Sequence, residues 1–390
     1  MTEKNARVVV VGGGYAGVLA ANHLLQRPGI DVTLVNPRPA FVERIRLHQL
    51  VAGNHGAVVD YRELLGSGVQ LVVDSVRRID TGARRAEMTS GPDLDYDYLI
   101  YAVGSTTPLP ASVPGAAEFA YPLAELEQAA RLRTRLDDVP TIAPVVVVGA
   151  GLTGIESAAE LAEAGRAVTL VGDILGPSLS AAGRRSVAKR LSKLGVTVID
   201  GPAAVVTRVS EHAVTLSGGR ELPSAATIWT AGFGVPELAA ASGLSTDALG
   251  RLLTDETLTS IDDPRIVAAG DAAAPSDQPL RMSCQAAMPL AAQAANTVLA
   301  RLAGAEPAAI NQAFTGSCVS LGRGAATIQV AHTDDSPREF YIGGRAGAWV
   351  KESVCKGTLS FLRKEARKPG SYFWFKGGKR AERLQTAGVR

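Results

Sequence analysis

A chain of 390 residues is longer than one hydrophobic core usually serves, so two or three domains are expected. With 46% hydrophobic and 20% charged residues it is too apolar for disorder, and its charges and 41 glycines interrupt it too often for a multi-span membrane protein. The formal net charge of +2 gives no chain-wide attraction to nucleic acid, and Cys284, Cys318 and Cys355 are too scattered for a CxxC pair or a zinc site, which fits a reducing cytoplasm.

The first residues, MTEKNAR, lack the charged, apolar and cleavage regions of a secretory signal. Residues 7–35 then read as strand, glycine turn, Ala/Leu-rich helix and strand, a βαβ unit. Its turn carries Gly12, Gly14 and Gly17 in the GxGxxG spacing, with Tyr15 and Ala16 between them. In that pattern the first glycine permits a tight turn, the second lets backbone approach a pyrophosphate, and the third lets helix and strand pack closely. The acid expected at the end of the second strand, to hold a ribose hydroxyl, is replaced by Asn36, whose amide can still hydrogen-bond a hydroxyl.

Residues 95–110 end a strand in Ala102-x-Gly104 and pass into a Pro-rich crossing, so a boundary is expected at 110. Residues 145–171 repeat the βαβ order with Gly149, Gly151 and Gly154 in the turn. The helix that follows places Glu156 and Glu160 on one face, facing a cofactor cleft or simply complementing the helix dipole. Its second strand ends in Gly172 where an acid would select NADH, with Asp173 one place later. Arg166, Arg184 and Arg185 would instead suit the extra phosphate of NADPH, which leaves both nicotinamides open.

A second boundary is expected at 236, after Thr230-Ala231-Gly232. Residues 262–274 form a strand running into Gly270 and Asp271, and an Ala-rich helix then completes the first domain by 308. From 309 short strand-like runs give a small α+β domain. Gly29, Gly165 and Gly195 are read as closing helices. Residues 351–390 hold eleven Lys or Arg against three Glu, interleaved with Tyr372, Phe373, Trp374 and Phe375, which suits an anionic membrane surface or a solvated tail packed through its aromatics. Outside the glycine-turn modules no apolar run reaches the roughly 18 residues that span a bilayer.

Two dinucleotide modules and an Ala-Gly-Asp strand end together resemble the pyridine nucleotide-disulfide oxidoreductase superfamily over about residues 7–300. The resemblance implies an α/β fold of two Rossmann-like domains, FAD-binding (1–110 and 237–308) and NAD(P)H-binding (111–236), plus the C-terminal domain 309–390. It places Gly12, Gly14, Tyr15, Ala16, Gly17, Asn36, Arg46, Ala102, Gly104, Gly270 and Asp271 at FAD. Gly149, Gly151, Gly154, Glu156, Asp173 and Gly232 fall at NADH or NADPH, with Glu156 positioning the nicotinamide. The redox cysteine pair of the disulfide reductases is missing from AFVERIRLHQLVAG, so the chain is similar to the cysteine-free branch of type II NADH dehydrogenases, ferroptosis suppressor and apoptosis-inducing-factor-like proteins.

In type II dehydrogenases an AQxAxQ motif borders flavin and quinone; here Cys284-Gln285-Ala286-Ala287 matches in part, which makes Gln285 the candidate lining the acceptor site, and Pro289 replaces the second Gln. His48 falls where such chains pass the flavin, as a proton relay, a covalent tether or a polar supporting residue. The expected reaction passes hydride from NADH or NADPH to FAD and two electrons to a quinone-like acceptor. Alternatives are an electron-carrier protein such as ferredoxin, dioxygen, or a non-turnover sensor. No metal and no nucleic acid is expected; a homodimer is allowed, and the place is the cytoplasm, including the inner face of its membrane, with peripheral contact through residues 351–390.

Overall fold

Two five-stranded parallel sheets with the same strand plan form the centre of the chain, which a computed structural model describes over residues 5–386. The first runs, in spatial order, Ile266–Ala268, Tyr98–Tyr101, Ala6–Val11, Ile30–Asn36 and Val69–Val73. The second runs Ala120–Pro122, Ala226–Trp229, Val145–Val148, Val168–Gly172 and Thr197–Asp200. Val8–Val11 and Val145–Val148 are buried without alternation, as central strands of a sheet covered on both faces must be. Each unit also carries a three-stranded antiparallel meander, Val76–Asp95 in the first and Val206–Pro223 in the second, that leads back into a parallel strand. The second unit is therefore a structural repeat of the first.

Helix Tyr15–Leu24 is buried at all ten positions, because it lies between its own sheet and helix Cys284–Leu302 and has no solvent face to make polar. Strand Ile266–Ala268 pairs in parallel with Tyr98–Tyr101, with Val267 opposite Ile100. After the whole second unit, the chain thus re-enters the first sheet and delivers Gly270 and Asp271 to the carboxyl end of its strands. Ligands of open parallel sheets bind at that edge.

Gly165 and Gly195 close their helices in the left-handed conformation, with Arg166 N–H donating to Leu161 O and Val196 N–H to Leu191 O. Gly29 does not close a helix: Tyr15–Leu24 ends earlier in tight turns, and Gly29 instead accepts from Ala6 N–H at the start of the sheet.

Beyond residue 309 an antiparallel sheet, Gly316–Ser320, Ala326–Ala331 and Pro337–Gly343, is followed by helix Gly344–Arg367. The sequence pattern shows only a basic tail there, since Gly344, Gly347 and Gly357 each weaken a helix by about 1 kcal/mol relative to Ala. Gly347 is required by packing, because a Cβ would come 2.6 Å from the Ala326 carbonyl oxygen. The tail then runs extended along the first domain. Tyr372 and Trp374 turn inward and stack at 6.1 Å, while Phe373 and Phe375 face outward.

Glu365 fastens this segment. Fully buried, it accepts from Gly370 N–H (2.6 Å), Tyr372 N–H (2.7 Å) and Ser371 Oγ (3.1 Å), and its Oε1 lies 2.6 Å from His23 Nδ1. Burial alone would raise its pKa, but His23 and the surrounding donors hold it below the usual carboxylate value. Glu365→Ala would leave these donors buried and unpaired, at a cost of about 3–5 kcal/mol in urea denaturation at pH 7. The depressed folded pKa means that this contribution is complete above the unfolded carboxyl pKa, about 4.3, and lost as pH falls through the folded value. The difference between variant and wild type should therefore narrow below about pH 4.

Candidate active site

Each glycine turn uses its three glycines differently. Gly12 (φ +105°) and Gly149 (φ +106°) take a backbone conformation that L side chains rarely adopt. A Cβ at Gly17 would run into the Gly12 carbonyl oxygen, and one at Gly154 into that of Gly149. At Gly14 and Gly151 a Cβ would meet nothing within 4 Å, so these two face open space. Neither helix that follows has a side-chain cap, which leaves its first N–H groups available to an anionic ligand.

Around the first turn, Gly270 (φ +72°) brings its strand end so close to Ala16 that a Cβ would sit 3.0 Å from the Ala16 methyl. Asp271 Oδ2 accepts from Ser105 Oγ at 2.7 Å, and Ser105 Oγ in turn accepts from Arg44 Nη1 at 3.2 Å. Asn36 serves the turn: its Oδ1 accepts from Gly13 N–H (3.0 Å) and its Nδ2 donates to Arg38 O (2.9 Å). A carboxylate could accept the first bond but not donate the second, which accounts for an amide where an acid is usual.

Two adjoining clefts share Gly14, Arg44, Ala102, Gly104 and Ser105. One follows the first turn past Asn36 and Tyr61; the other continues past Tyr15, Ala16 and Asp271 to Glu156, His48 and Lys351. A third lies at the second turn, and Asp173 is the only charged residue among those that line it. An open glycine with free helix N–H groups at one end and hydroxyl-binding polar groups further along fits a dinucleotide.

At the junction of the units lies a buried charge cluster. Glu156 Oε1 accepts from Lys351 Nζ at 2.8 Å and from Ser320 N–H at 2.9 Å, while Glu156 Oε2 lies 3.8 Å from His48 Nδ1. Burial alone would raise Glu156, yet Lys351 and His48 hold its pKa below the usual value. Burial likewise opposes the charge on Lys351, and Glu156 carries its pKa above the ordinary lysine value. His48 goes the other way: burial lowers it, and Glu156 offsets only part of that. One turn along, Glu160 pairs with Arg323 and accepts from Asn54 Nδ2 at 2.9 Å, which ties the second-unit helix to the C-terminal sheet.

The structure gathers Gly12, Gly14, Tyr15, Ala16, Ala102, Gly104, Gly270, Asp271, His48 and Glu156 along the two adjoining clefts. Gly17 and Gly154 sit behind their turns, packed on Gly12 and Gly149, and Gly149, Gly151 and Asp173 line the third cleft. Gly232 stands exposed between Ala231 of the third cleft and Phe233 of the first. Two expectations are corrected. Gln285 does not border the cleft; its amide is turned to Thr315 and Gly316, and the neighbours Cys284 and Ala287 face the opening instead. Arg46 is buried against Glu352 (3.0 and 3.1 Å) and Gln49, because the 3-10 turn Arg44–Arg46 sends Arg44, not Arg46, to the cleft. Lys351 was hidden by the unread helix. Ser105 was legible as the residue next to Gly104.

Residues 6–296 match the family model of the pyridine nucleotide-disulphide oxidoreductases. The chain belongs to that family. An NADH dehydrogenase-like protein of Mycobacterium tuberculosis is 32% identical over 379 residues, covering 89% of this chain and 92% of its own. The type II NADH:quinone oxidoreductase Ndh of the same species is 28% identical, covering 77% of this chain and 74% of its own. Among solved structures, NDH2 of Plasmodium falciparum in complex with NADH superposes with a TM-score of 0.77 at 16% identity, over 95% of this chain and 100% of that one. This oxidoreductase thus has both dinucleotide modules of its family, and the charge cluster sits between them.

Lys351→Met should leave Glu156 charged and buried, with a loss of about 3–5 kcal/mol in urea denaturation. The double variant Lys351→Met/Glu156→Leu should recover most of that loss, since removing both charges removes the desolvation cost.

Proposed function

We propose that this oxidoreductase is an FAD-dependent NADH dehydrogenase that takes hydride from NADH and delivers two electrons to a quinone. The observation that carries this reading is the continuous cleft from the Gly12–Gly17 turn, past Asp271, to Glu156 on the helix that opens the second turn. The flavin, when bound, accepts hydride and releases electrons in pairs; the protein binds, aligns and excludes water. The first turn would hold the FAD pyrophosphate, with Asp271 and Ser105 at its sugar-like chain, and the second turn the pyrophosphate of NADH. Glu156, fixed by Lys351 and Ser320 N–H, would position the nicotinamide. Cys284, the one cysteine lining this cleft, has its thiol pushed up to about 12 by burial, first of all, and by Asp271, which argues against thiolate chemistry.

NADH is favoured over NADPH by the third cleft. A Cβ at Gly172 would meet Ala150 N at 2.7 Å, so the usual acid cannot stand there, and Asp173 brings the negative charge one residue later. No Lys or Arg lines the cleft to receive a phosphate.

Quinones dissolve in bilayers, and the chain has a surface suited to one. Phe340, Trp349 (73% exposed), Phe373 and Phe375 are exposed in the C-terminal region, as are Lys356, Lys364, Lys368 and Lys376. No helix among the described residues is long and apolar enough to cross a membrane; exposed aromatic and basic side chains suit a peripheral contact.

Anaerobic stopped-flow absorbance near 450 nm tests the reading. NADH should bleach the flavin rapidly, and a second mix with soluble quinone should restore it; bleaching that persists in quinone rules out the quinone reaction. Asp173→Ala should reduce the NADH-over-NADPH preference in kcat/KM about tenfold to a hundredfold, the value of a hydrogen bond to a charged group.

A further inference from the structure

His48 is 4% exposed, and its Nε2 is buried with no hydrogen-bond partner. A buried polar atom without a partner costs about 1–3 kcal/mol, so a native structure that retains one asks for an explanation. His48 lies in the wall of the cleft, on helix Leu47–Ala52, which packs against the second-unit helix Leu152–Glu163 and against Leu126–Asp138. The charged groups acting on the imidazole are Glu156 at 3.8 Å, then Lys351, Glu160 and Arg323. On the adjoining elements, Arg44 faces Ser105 and Ala124, and Arg133 bonds Val51 O. Glu156 is the nearest of these to Nδ1, so its carboxylate favours the neutral tautomer with the proton on Nδ1. That tautomer leaves the Nε2 lone pair free.

Resting on the dehydrogenase reading above, we propose that His48 is the redox-linked proton acceptor of this site. Hydride from NADH brings two electrons and one proton, so the cleft gains one negative charge. That charge raises the proton affinity of a nearby imidazole. His48 would then take one proton on Nε2 by way of the cleft whose wall it forms. In the second half-reaction His48 would give this proton to the quinone, which would take its two electrons and other proton from the bound cofactor to make the quinol, and the imidazole would return to its neutral state. Burial, which keeps His48 neutral before reduction, makes the uptake conditional on the new charge. Glu156 is held in its charged form by Lys351 Nζ at 2.8 Å, which leaves the neutral imidazole as the group with a free acceptor.

The measurement is the flavin midpoint potential of the holoprotein against pH, with His48→Gln beside wild type; glutamine keeps a hydrogen-bond donor but cannot carry the proton. Each proton taken up with the electron pair steepens a two-electron potential by about 30 mV per pH unit. Between pH 7 and pH 8 wild type should fall by about 60 mV per unit and His48→Gln by about 30 mV. Equal slopes overturn the proposal while leaving the dehydrogenase reading intact. If the variant loses flavin, imidazole NMR of wild type decides: the His48 signal should change from neutral to doubly protonated on NADH reduction at pH 7, and an unchanged signal overturns the proposal. Wild-type protein that binds no FAD, or binds FAD that NADH does not reduce, overturns the dehydrogenase reading and this proposal together.

Discussion

The close meeting of backbones at two glycine turns is the constraint on which the rest of this structure depends. A side chain at Gly17 or Gly154 would strike the carbonyl of the glycine that begins the same turn, so helix and strand could not approach as they do. That approach places Gly14 and Gly151 at the lip of open clefts and leaves uncapped helix N-termini beside them. The valine strands on either side are buried on both faces and hold the turns rigidly. Binding capacity and fold come from the same residues.

The second dependence is electrostatic. Glu156 sits on the second-unit helix, His48 on a short helix of the first, and Lys351 on the long C-terminal helix, so one buried cluster joins three parts of the chain. Such a cluster adds little net stability over an apolar one, since desolvation consumes most of the Coulomb energy. Its value is position. Removing Glu156 or Lys351 leaves a buried charge without its partner, so this pair holds the second-unit helix and the C-terminal helix in one arrangement. Glu365 does the same for the tail, fixing inward the Tyr372 and Trp374 face and leaving Phe373 and Phe375 outside.

Most of the architecture was legible because glycine spacing and runs of valine are local signals with a direct backbone meaning. The returning strand into Gly270 and Asp271 could be read for the same reason. Glu156 was singled out by its place just after the second turn and His48 by the family resemblance, and the structure brings both to one cleft wall. Lys351 could not be found this way: its helix carries three glycines that disguise the period, and its partner is remote in sequence. The choice between Arg44 and Arg46 turned on a single 3-10 turn, which composition does not specify. Gln285 illustrates the opposite case, a motif position matched by type while its amide finds better partners in Thr315 and Gly316. Asn36, expected near a ribose hydroxyl, lines the cleft and also clamps the turn.

The central claim, that the open face of the first glycine turn is the FAD site, is tested most directly by the flavin content of Gly14→Val after saturation with FAD and gel filtration. Backbone angles at this residue (φ −80°, ψ −166°) suit valine, and its Cβ meets nothing in the folded chain. The account predicts a variant that melts at the wild-type temperature and retains almost no FAD, while wild type retains it in a one-to-one ratio. A folded Gly14→Val protein that keeps its flavin would contradict the account.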